Sequence, residues 1–358
     1  MQLIECVPNF SEGRDQQAIG SITRAAGAVS GAAVLQVDSN ADAHRTVMTI
    51  AGEPGPVVEA AYEALRQAAE VIDMTRHQGA HPRLGATDVC PLVPLAGVTL
   101  EDCVGLAKKL GQRVASELDL PVYLYGAAAS SPERRRLAWL RRGGYERLAQ
   151  RLEDPKFKPD FGPAEFNPRL GATVIGARNI LIAFNVNLST EDVAVAEQIA
   201  KALRPAGGSA PLPQSQAMGW LMPGYGCAQV SINLTDYRVT PLHRAYEAVR
   251  QQAASFGISV VGSELVGMAP LEPLLAAGRN YLPPGGAGDE PGIEDLLAAA
   301  VEGLGLAAVR YFNPQEQVLE LCLARLGGPA AVWARGKIDQ LMGADDHNGN
   351  ESQSVKNN

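Results

Sequence analysis

Two α/β domains are what this sequence predicts, and three observations predict them. The chain has 358 residues, long for a single hydrophobic core. Short apolar runs alternate with amphipathic helical spacing along most of it. A strand followed by a capped helix recurs, at TLEDCVGLAKKLGQRVA (99–115), STEDVAVAEQIAKALR (189–204) and INLTDYRVTPLHRAYEAVR (232–250). Thr99 and Ser189 are placed to accept the free N–H groups of each first turn, with acids just behind them. This recurrence suggests split β-α-β units of ferredoxin-like type; unrelated strand–helix pairs also produce it by chance.

The elements follow in order. LIECV (3–7) reads as a strand, broken by PNFSEGRD, and helical spacing follows over about 15–27. AVLQVD (33–38) and HRTVMTIAG (44–52) read as strands paired across the polar turn SNADA. GPVVEAAYEALRQAAEVID (55–73) is an amphipathic helix, with Val57, Ala60, Ala61, Ala64 and Ala68 at i, i+3, i+4 spacing. PVYLYGAA (121–128) is strand-like, and ATVIGARNILIAFNVNL (172–188) reads as one or two strands. Gly, Pro and Ser make RPAGGSAPLPQSQ (204–216) and YLPPGGAGDEPG (281–292) loops. After about Gly328 the chain turns polar and aperiodic. The expected division is a first domain at 1–178, a second at 179–328 and a disordered tail at 329–358.

Hydrophobic residues make up 46% and charged residues 20%, as in soluble globular proteins. A net charge of −8 argues against nucleic acid and anionic membrane as partners. The local exception, ERRRLAWLRR (133–142), reads as an exposed helix face or an anchor for anionic ligands. Cys6, Cys90, Cys103, Cys227 and Cys322 are scattered without C-x-x-C spacing, which fits reduced thiols in the cytoplasm. The start, MQLIECVPNF, lacks signal-peptide character, and no run reaches the ~20 apolar residues of a membrane span.

The histidines are His44, His77, His81, His243 and His347. His77 and His81 stand four apart, the spacing of a helical metal pair, but Gly79 and Pro82 oppose a helix and no H-E-x-x-H is present. No metal is therefore expected. RHQGAHPRLGATD (76–88) reads instead as a loop carrying two imidazoles, two guanidiniums and a carboxylate: a reactive loop or an ion-paired polar turn. Asp38, His44 and Arg45 flank the turn DSNADAHR, whose ends meet the strand after His81 if all lie in one sheet; turn polarity explains them as well. PDFGPAEFNPRLGAT (159–173) suits a flat heterocycle through Phe161 and Phe166, or simply spans two domains. HPRLGAT (81–87) returns as NPRLGAT (167–173), with His81 exchanged for Asn167.

VPNFSEGRD (7–15), RHQGAHPRLGATDVCPLVP (76–94), PVYLYGAAA (121–129), PDFGPAEFNPRLGATVIGARNILIAFNVNL (159–188) and AQVSINLTDY (228–237) together resemble the formiminotransferase family, over roughly residues 2–325. The resemblance implies two ferredoxin-like split-βαβ subdomains with a folate-binding groove between them, in a protein usually a homodimer. It implies transfer of a formimidoyl group between N-formimidoyl-L-glutamate and tetrahydrofolate, a step of histidine breakdown, with tetrahydrofolate as co-substrate, in polyglutamylated form or not. By this resemblance His81, followed directly by Pro-Arg, is catalytic together with Asp38 and Arg83. His77 supports it, Arg45 is a matching binding position, and the folate loop is Gly162, Pro163, Ala164, Glu165, Phe166, Asn167, Pro168, Arg169, Leu170 and Gly171. Two-domain relatives carry a cyclodeaminase domain for which this chain has no room, so the product is expected to pass to a separate enzyme. Rival readings are a folate enzyme acting on formyl donors or 5-formyltetrahydrofolate, a folate-binding protein without turnover, and a metal hydrolase on His77 and His81.

On this reading His81 takes the proton shed by N5 of tetrahydrofolate and returns it to the departing glutamate nitrogen, worth about 10²–10⁴-fold. Asp38 favours the charged amidinium or imidazolium, and Arg83 grips a substrate carboxylate. If the two PRLGAT loops are related copies, the frame builds a turn at both and only one needs a base, leaving Asn167 for binding.

Overall fold

Leu3–Cys6 (β1) and Asn9–Phe10 (β2) are one strand interrupted at Pro8, which has no N–H to give a ladder. Both halves pair with the same two neighbours, Arg45–Gly52 (β4) and Thr87–Ala96 (β5). Gln16–Gly27 (α1) precedes Ala32–Asn40 (β3), and Pro54–Val71 (α2) joins β4 to β5. Asp15 caps α1 by accepting from Gln17 N and Ala18 N. The order β-α-β-β-α-β, with β3-β4-β1/β2-β5 side by side, is the predicted split β-α-β unit. The computed structural model describes residues 1–206, 208–282 and 291–343.

The first sheet then grows. Leu100–Leu118 (α3) leads to Val122–Gly126 (β6); Leu137–Leu140 (α4) and Leu148–Leu152 (α5) punctuate a long excursion; Thr173–Ala177 (β7) slots in parallel between β5 and β6. Ile4, Cys6, Met48, Ile50 and Leu92 bury one face of the sheet against α1, α2 and α3. Alternation therefore turns Glu5, Thr49 and Ala51 to the opposite face.

The second unit repeats the plan: Ile182–Leu188 (β8), Val193–Leu203 (α6), Ser215–Met222 (β9), Cys227–Leu234 (β10), Leu242–Ser255 (α7) and Val260–Val266 (β11). Its order, β11-β8-β10-β9, is antiparallel throughout. Leu271–Tyr281 (α8) and Ile293–Leu304 (α9) complete its core around Phe184, Val186, Val230 and Ile232. Thus 172–188 is two strands in two different sheets, and the chain changes sheet between Ala177 and Ile182. No helix among the described residues is long and apolar enough to cross a membrane.

Three expectations fail. Thr99 does cap α3 in a capping box with Asp102, but α6 is capped by Asp192, and Ser189 Oγ instead accepts from Ser259 N at 2.9 Å. The echo between 99–115 and 189–204 is also not the repeat, because α3 follows the fourth strand of its unit whereas α6 follows the first. The tail expected from 329 is ordered at its start: Pro314–Gln317 (α10) and Leu319–Ala324 (α11) run into Gly328–Gly343 (α12). Ala331 and Ala334 of α12 are buried, and Leu319, Leu323 and Ala334 pack with Ala51, Leu35 and Leu95 of the first sheet. Small residues let that helix approach closely, which a hydrophobicity pattern does not reveal. Residues 344–358, and 283–290 of the expected loop, lie outside the described residues.

Candidate functional site

The β3–β4 hairpin starts the site. Asn40 Oδ1 accepts from Asp42 N and Ala43 N, both at 2.9 Å, so the side chain builds the turn. Arg45 opens β4 and points inward: its Nε donates to Asn9 Oδ1 at 3.0 Å and its Nη1 to Asp88 Oδ2 at 2.7 Å. Asp88, near the start of β5, is fully buried. It also accepts from Leu84 N at 3.0 Å and from both Nε and Nη2 of Arg141. Burial favours its neutral form, but Arg141 and Arg45 prevail and hold the carboxyl well below its usual range.

His81 is half-buried beside this cluster. Its Nδ1 lies 2.7 Å from Pro82 O. A carbonyl only accepts, so Nδ1 carries the hydrogen and Nε2 keeps its lone pair. Burial, reinforced by the positive charges of Arg45 and Arg141, holds the imidazole well below its ordinary 6.5. The ring is neutral at ambient pH and able to accept a proton at Nε2.

His77 is different. Its Nε2 donates to His44 O at 2.9 Å, its Nδ1 accepts from Arg83 Nε at 3.0 Å, and its ring stacks on His44 at 4.2 Å. Burial pushes it down to about 4. Both nitrogens being engaged, His77 offers no lone pair for a metal shared with His81. Arg83 is buried and engaged as well, with Nη1 on Glu146 Oε1 at 2.6 Å. Among the described residues no hydrogen bond or ion pair joins Arg83 to His81, so the guanidiniums that the fold brings to the imidazole are Arg45 and Arg141.

The two PRLGAT stretches lie in the same domain. They feed the adjacent parallel strands β5 and β7, and they touch: Ala86 N donates to Leu170 O at 2.8 Å and Ala172 N to Leu84 O at 3.1 Å. A Cβ on Gly85 would stand 2.3 Å from Leu170 O, and one on Gly171, at φ +69°, 2.1 Å from Leu84 O, so only glycine permits the approach. Asn167 Oδ1 accepts from Arg169 N at 3.1 Å and Leu170 N at 3.0 Å, folding its own turn. In the other stretch the equivalent amide, Leu84 N, is taken by Asp88. The carboxylate relieves His81 of turn-building, and this is why the frame survives the exchange. Gly162, Ala164, Glu165, Pro168 and Arg169 are exposed, while Pro163 and Leu170 are half-buried and Phe166 tilts against Tyr145 at 5.4 Å.

Residues of the second domain close the site. Trp220 presents its ring to His81, centroids 5.7 Å apart. Asp42 Oδ2 accepts from Gly224 N at 2.7 Å; Asp38 accepts from Gly267 N at 2.9 Å and from Arg310 Nη2 at 2.6 Å. Asp38 is thus a clasp between domains. Behind Trp220 lies a buried network. Trp220 Nε1 donates to Gln229 Oε1 at 2.8 Å, Gln229 Nε2 to Asn187 Oδ1 at 2.6 Å and Glu264 Oε1 at 2.9 Å, and Tyr225 OH to Glu264 Oε2 at 3.1 Å. Strand register explains it, since Gln229 stands opposite both Asn187 and Trp220. None of these residues was singled out in the sequence. The signal was there in FNVN (184–187), where polar residues alternate with apolar ones on a central strand. Two surface depressions, one lined by Arg24 and Glu63 and one by Leu297 and Phe312, share no residue with this site.

Residues 3–178 match the family described as the formiminotransferase domain, N-terminal subdomain, and residues 183–324 match the formiminotransferase domain. Glutamate formimidoyltransferase of Thermoplasma acidophilum is 43% identical over 284 residues, covering 79% of this chain and 93% of that protein. The enzyme of the same name from Streptococcus pyogenes serotype M1 is 38% identical over 281 residues, covering 78% and 93%. Mouse formimidoyltransferase-cyclodeaminase is 45% identical over 329 residues, covering 89% of this chain but 59% of the mouse protein. The chain therefore spans about three fifths of the length of that two-function relative.

Proposed function

The chain belongs to the formiminotransferase family, and from that premise we propose that it transfers a formimidoyl group from N-formimidoyl-L-glutamate to tetrahydrofolate, giving 5-formimidoyltetrahydrofolate and L-glutamate. The observation that carries the mechanism is the state of His81: Nδ1–H fixed on Pro82 O, Nε2 free, the ring neutral. N5 of tetrahydrofolate attacks the amidine carbon and becomes cationic. Nε2 of His81 takes the N5 proton as the tetrahedral carbon forms. The resulting imidazolium, made acidic by burial and then by Arg45 and Arg141, gives that proton to the glutamate nitrogen as the C–N bond breaks. One proton moves from N5 to the leaving amine, and His81 returns to its starting state.

The other roles follow the geometry. Tetrahydrofolate is a co-substrate lying along Gly162–Gly171, a loop whose turn Asn167 folds and which exposes Gly162, Ala164, Glu165, Pro168 and Arg169. Asp38 acts by clasping the second domain over the site, through Gly267 and Arg310, rather than by touching the amidinium. Arg83 acts at one remove, holding His77 and with it the loop that carries His81. The reading assigns no step to a metal; a cytoplasmic setting and a homodimer belong to it as well.

The test is an assay of purified protein with N-formimidoyl-L-glutamate and tetrahydrofolate, read by folate absorbance, beside the same assay with 5-formyltetrahydrofolate. Turnover of the first alone is expected. Turnover of the second alone would replace this reading with the formyl-folate one.

A further inference from the structure

ERRRLAWLRR looks like surface, but the fold turns two of its arginines inward: Arg134 onto Asp160, and Arg141 onto Asp88. Arg141 reaches Asp88 across the sheet with two of its nitrogens, and Arg45 reaches the same carboxylate from β4. Two guanidiniums on one carboxylate leave one positive charge in excess, and it is nearly enclosed: the side chains of Arg45, Asp88 and Arg141 are 7%, 0% and 15% exposed. Each arginine also has a spare terminal nitrogen, since Nη2 of Arg45 and Nη1 of Arg141 hydrogen-bond to no described residue. An excess positive charge with unused N–H donors at its edge is suited to receive an anion.

We propose that Arg141 and Arg45, bridged by Asp88, bind the α-carboxylate of the amino-acid donor. This rests on the transferase reading above and names how its donor is recognised. The cluster adjoins the reacting centre, because Leu84 N ties the turn of His81 directly to Asp88. In N-formimidoylglutamate the α-carboxylate is attached to the very carbon that bears the departing nitrogen, so a carboxylate held beside His81 is that one. The glutamyl tail of a folate is separated from N5 by the C9–N10 bridge and the aminobenzoyl ring and falls elsewhere. A planar fork of N–H groups suits a carboxylate better than a lysine would.

The experiment compares N-formimidoyl-L-glutamate with its α-amide and its γ-amide on the wild-type protein and on Arg141→Gln and Arg141→Lys. Wild type should lose about 10- to 100-fold in kcat/KM on the α-amide, the range set by one charge-assisted hydrogen-bonded contact. Arg141→Gln should lose activity on the acid but little on the α-amide, bringing their ratio close to one, with KM for tetrahydrofolate unchanged. Arg141→Lys keeps the charge without the fork and should retain part of the ratio. An unchanged acid-to-amide ratio in Arg141→Gln, a discrimination falling on the γ-amide, or a rise confined to the folate KM would each overturn the proposal. An arginine that merely held the fold together would depress acid and amide equally, which also overturns it. A wild type that turns over none of the donors defeats the transferase reading itself, a result distinct from these.

Discussion

The backbone amide of Leu84 donates to the side chain of Asp88 at 3.0 Å, inside a site with no water-exposed surface on that carboxylate. Asp88→Asn keeps an oxygen for this amide and removes the charge, leaving two arginines facing one another. Breaking a buried charge cluster in this way costs about 3–5 kcal/mol. Urea unfolding of the variant should show a loss of that order, and a loss below 1 kcal/mol would mean that solvent reaches the cluster.

His81→Asn should fold and bind folate normally while kcat falls by about 10²–10⁴-fold. Titration calorimetry with a folate checks the first half and turnover the second. The pH profile offers a separate reading. A base must be neutral to act, and this imidazole is held well below 6.5, first by burial and then by the arginines. kcat/KM should therefore stay level as pH falls from 8 through 6.5, dropping only further into acid. An acid limb centred at 6.5 or above in wild type, absent from the variant, would contradict the environment assigned to His81.

Asn167→Ala removes the acceptor that folds its own loop, at a cost of about 1 kcal/mol in stability, and should weaken folate binding because the loop loses its shape. Asn167→Asp preserves an acceptor and should keep both. If the alanine variant binds folate as wild type does but turns over slowly, the loop has been assigned the wrong role.

Glu5 is buried on the sheet face that α11 covers, and burial raises its carboxyl to about 7, Arg178 opposing and Glu320 adding. The folded state thus holds a proton that the unfolded chain releases near its ordinary value of 4.5. The resulting stabilisation is complete below 4.5 and disappears as pH rises through about 7, a swing of about 3 kcal/mol. Glu5→Gln mimics the protonated form. The difference in unfolding free energy between wild type and this variant should shift by that amount between pH 5 and pH 8, in favour of the variant at the higher pH. A difference independent of pH would show that Glu5 titrates as an exposed acid.

Much of this was written locally. The hairpin from Ala32 to Gly52 and the helix Pro54–Val71 follow from alternation and from i, i+4 spacing, and Asp15 and Thr99 cap the helices they precede. The partners of the site were not local. Arg141 and Asp88 stand 53 positions apart, so nothing in a basic run tells which members turn inward. Asp38 reads as a turn residue until Arg310, 272 positions later, is folded against it. Arg83 has the composition of a ligand-binding arginine, yet His77 and Glu146 occupy it. The repeated PRLGAT was visible at once. That its two copies lie edge to edge in one sheet, with Asn167 and Asp88 doing the same job from opposite ends of the turn, required the pairing of β5 with β7.

Helices α11 and α12 cover Ala51, Leu35 and Leu95. During synthesis the amino-terminal half therefore leaves the ribosome with a greasy flank still bare, and its proper lid is made only after residue 319. The two halves mature together: a nascent chain stalled before residue 319 is one that chaperones and proteases should recognise.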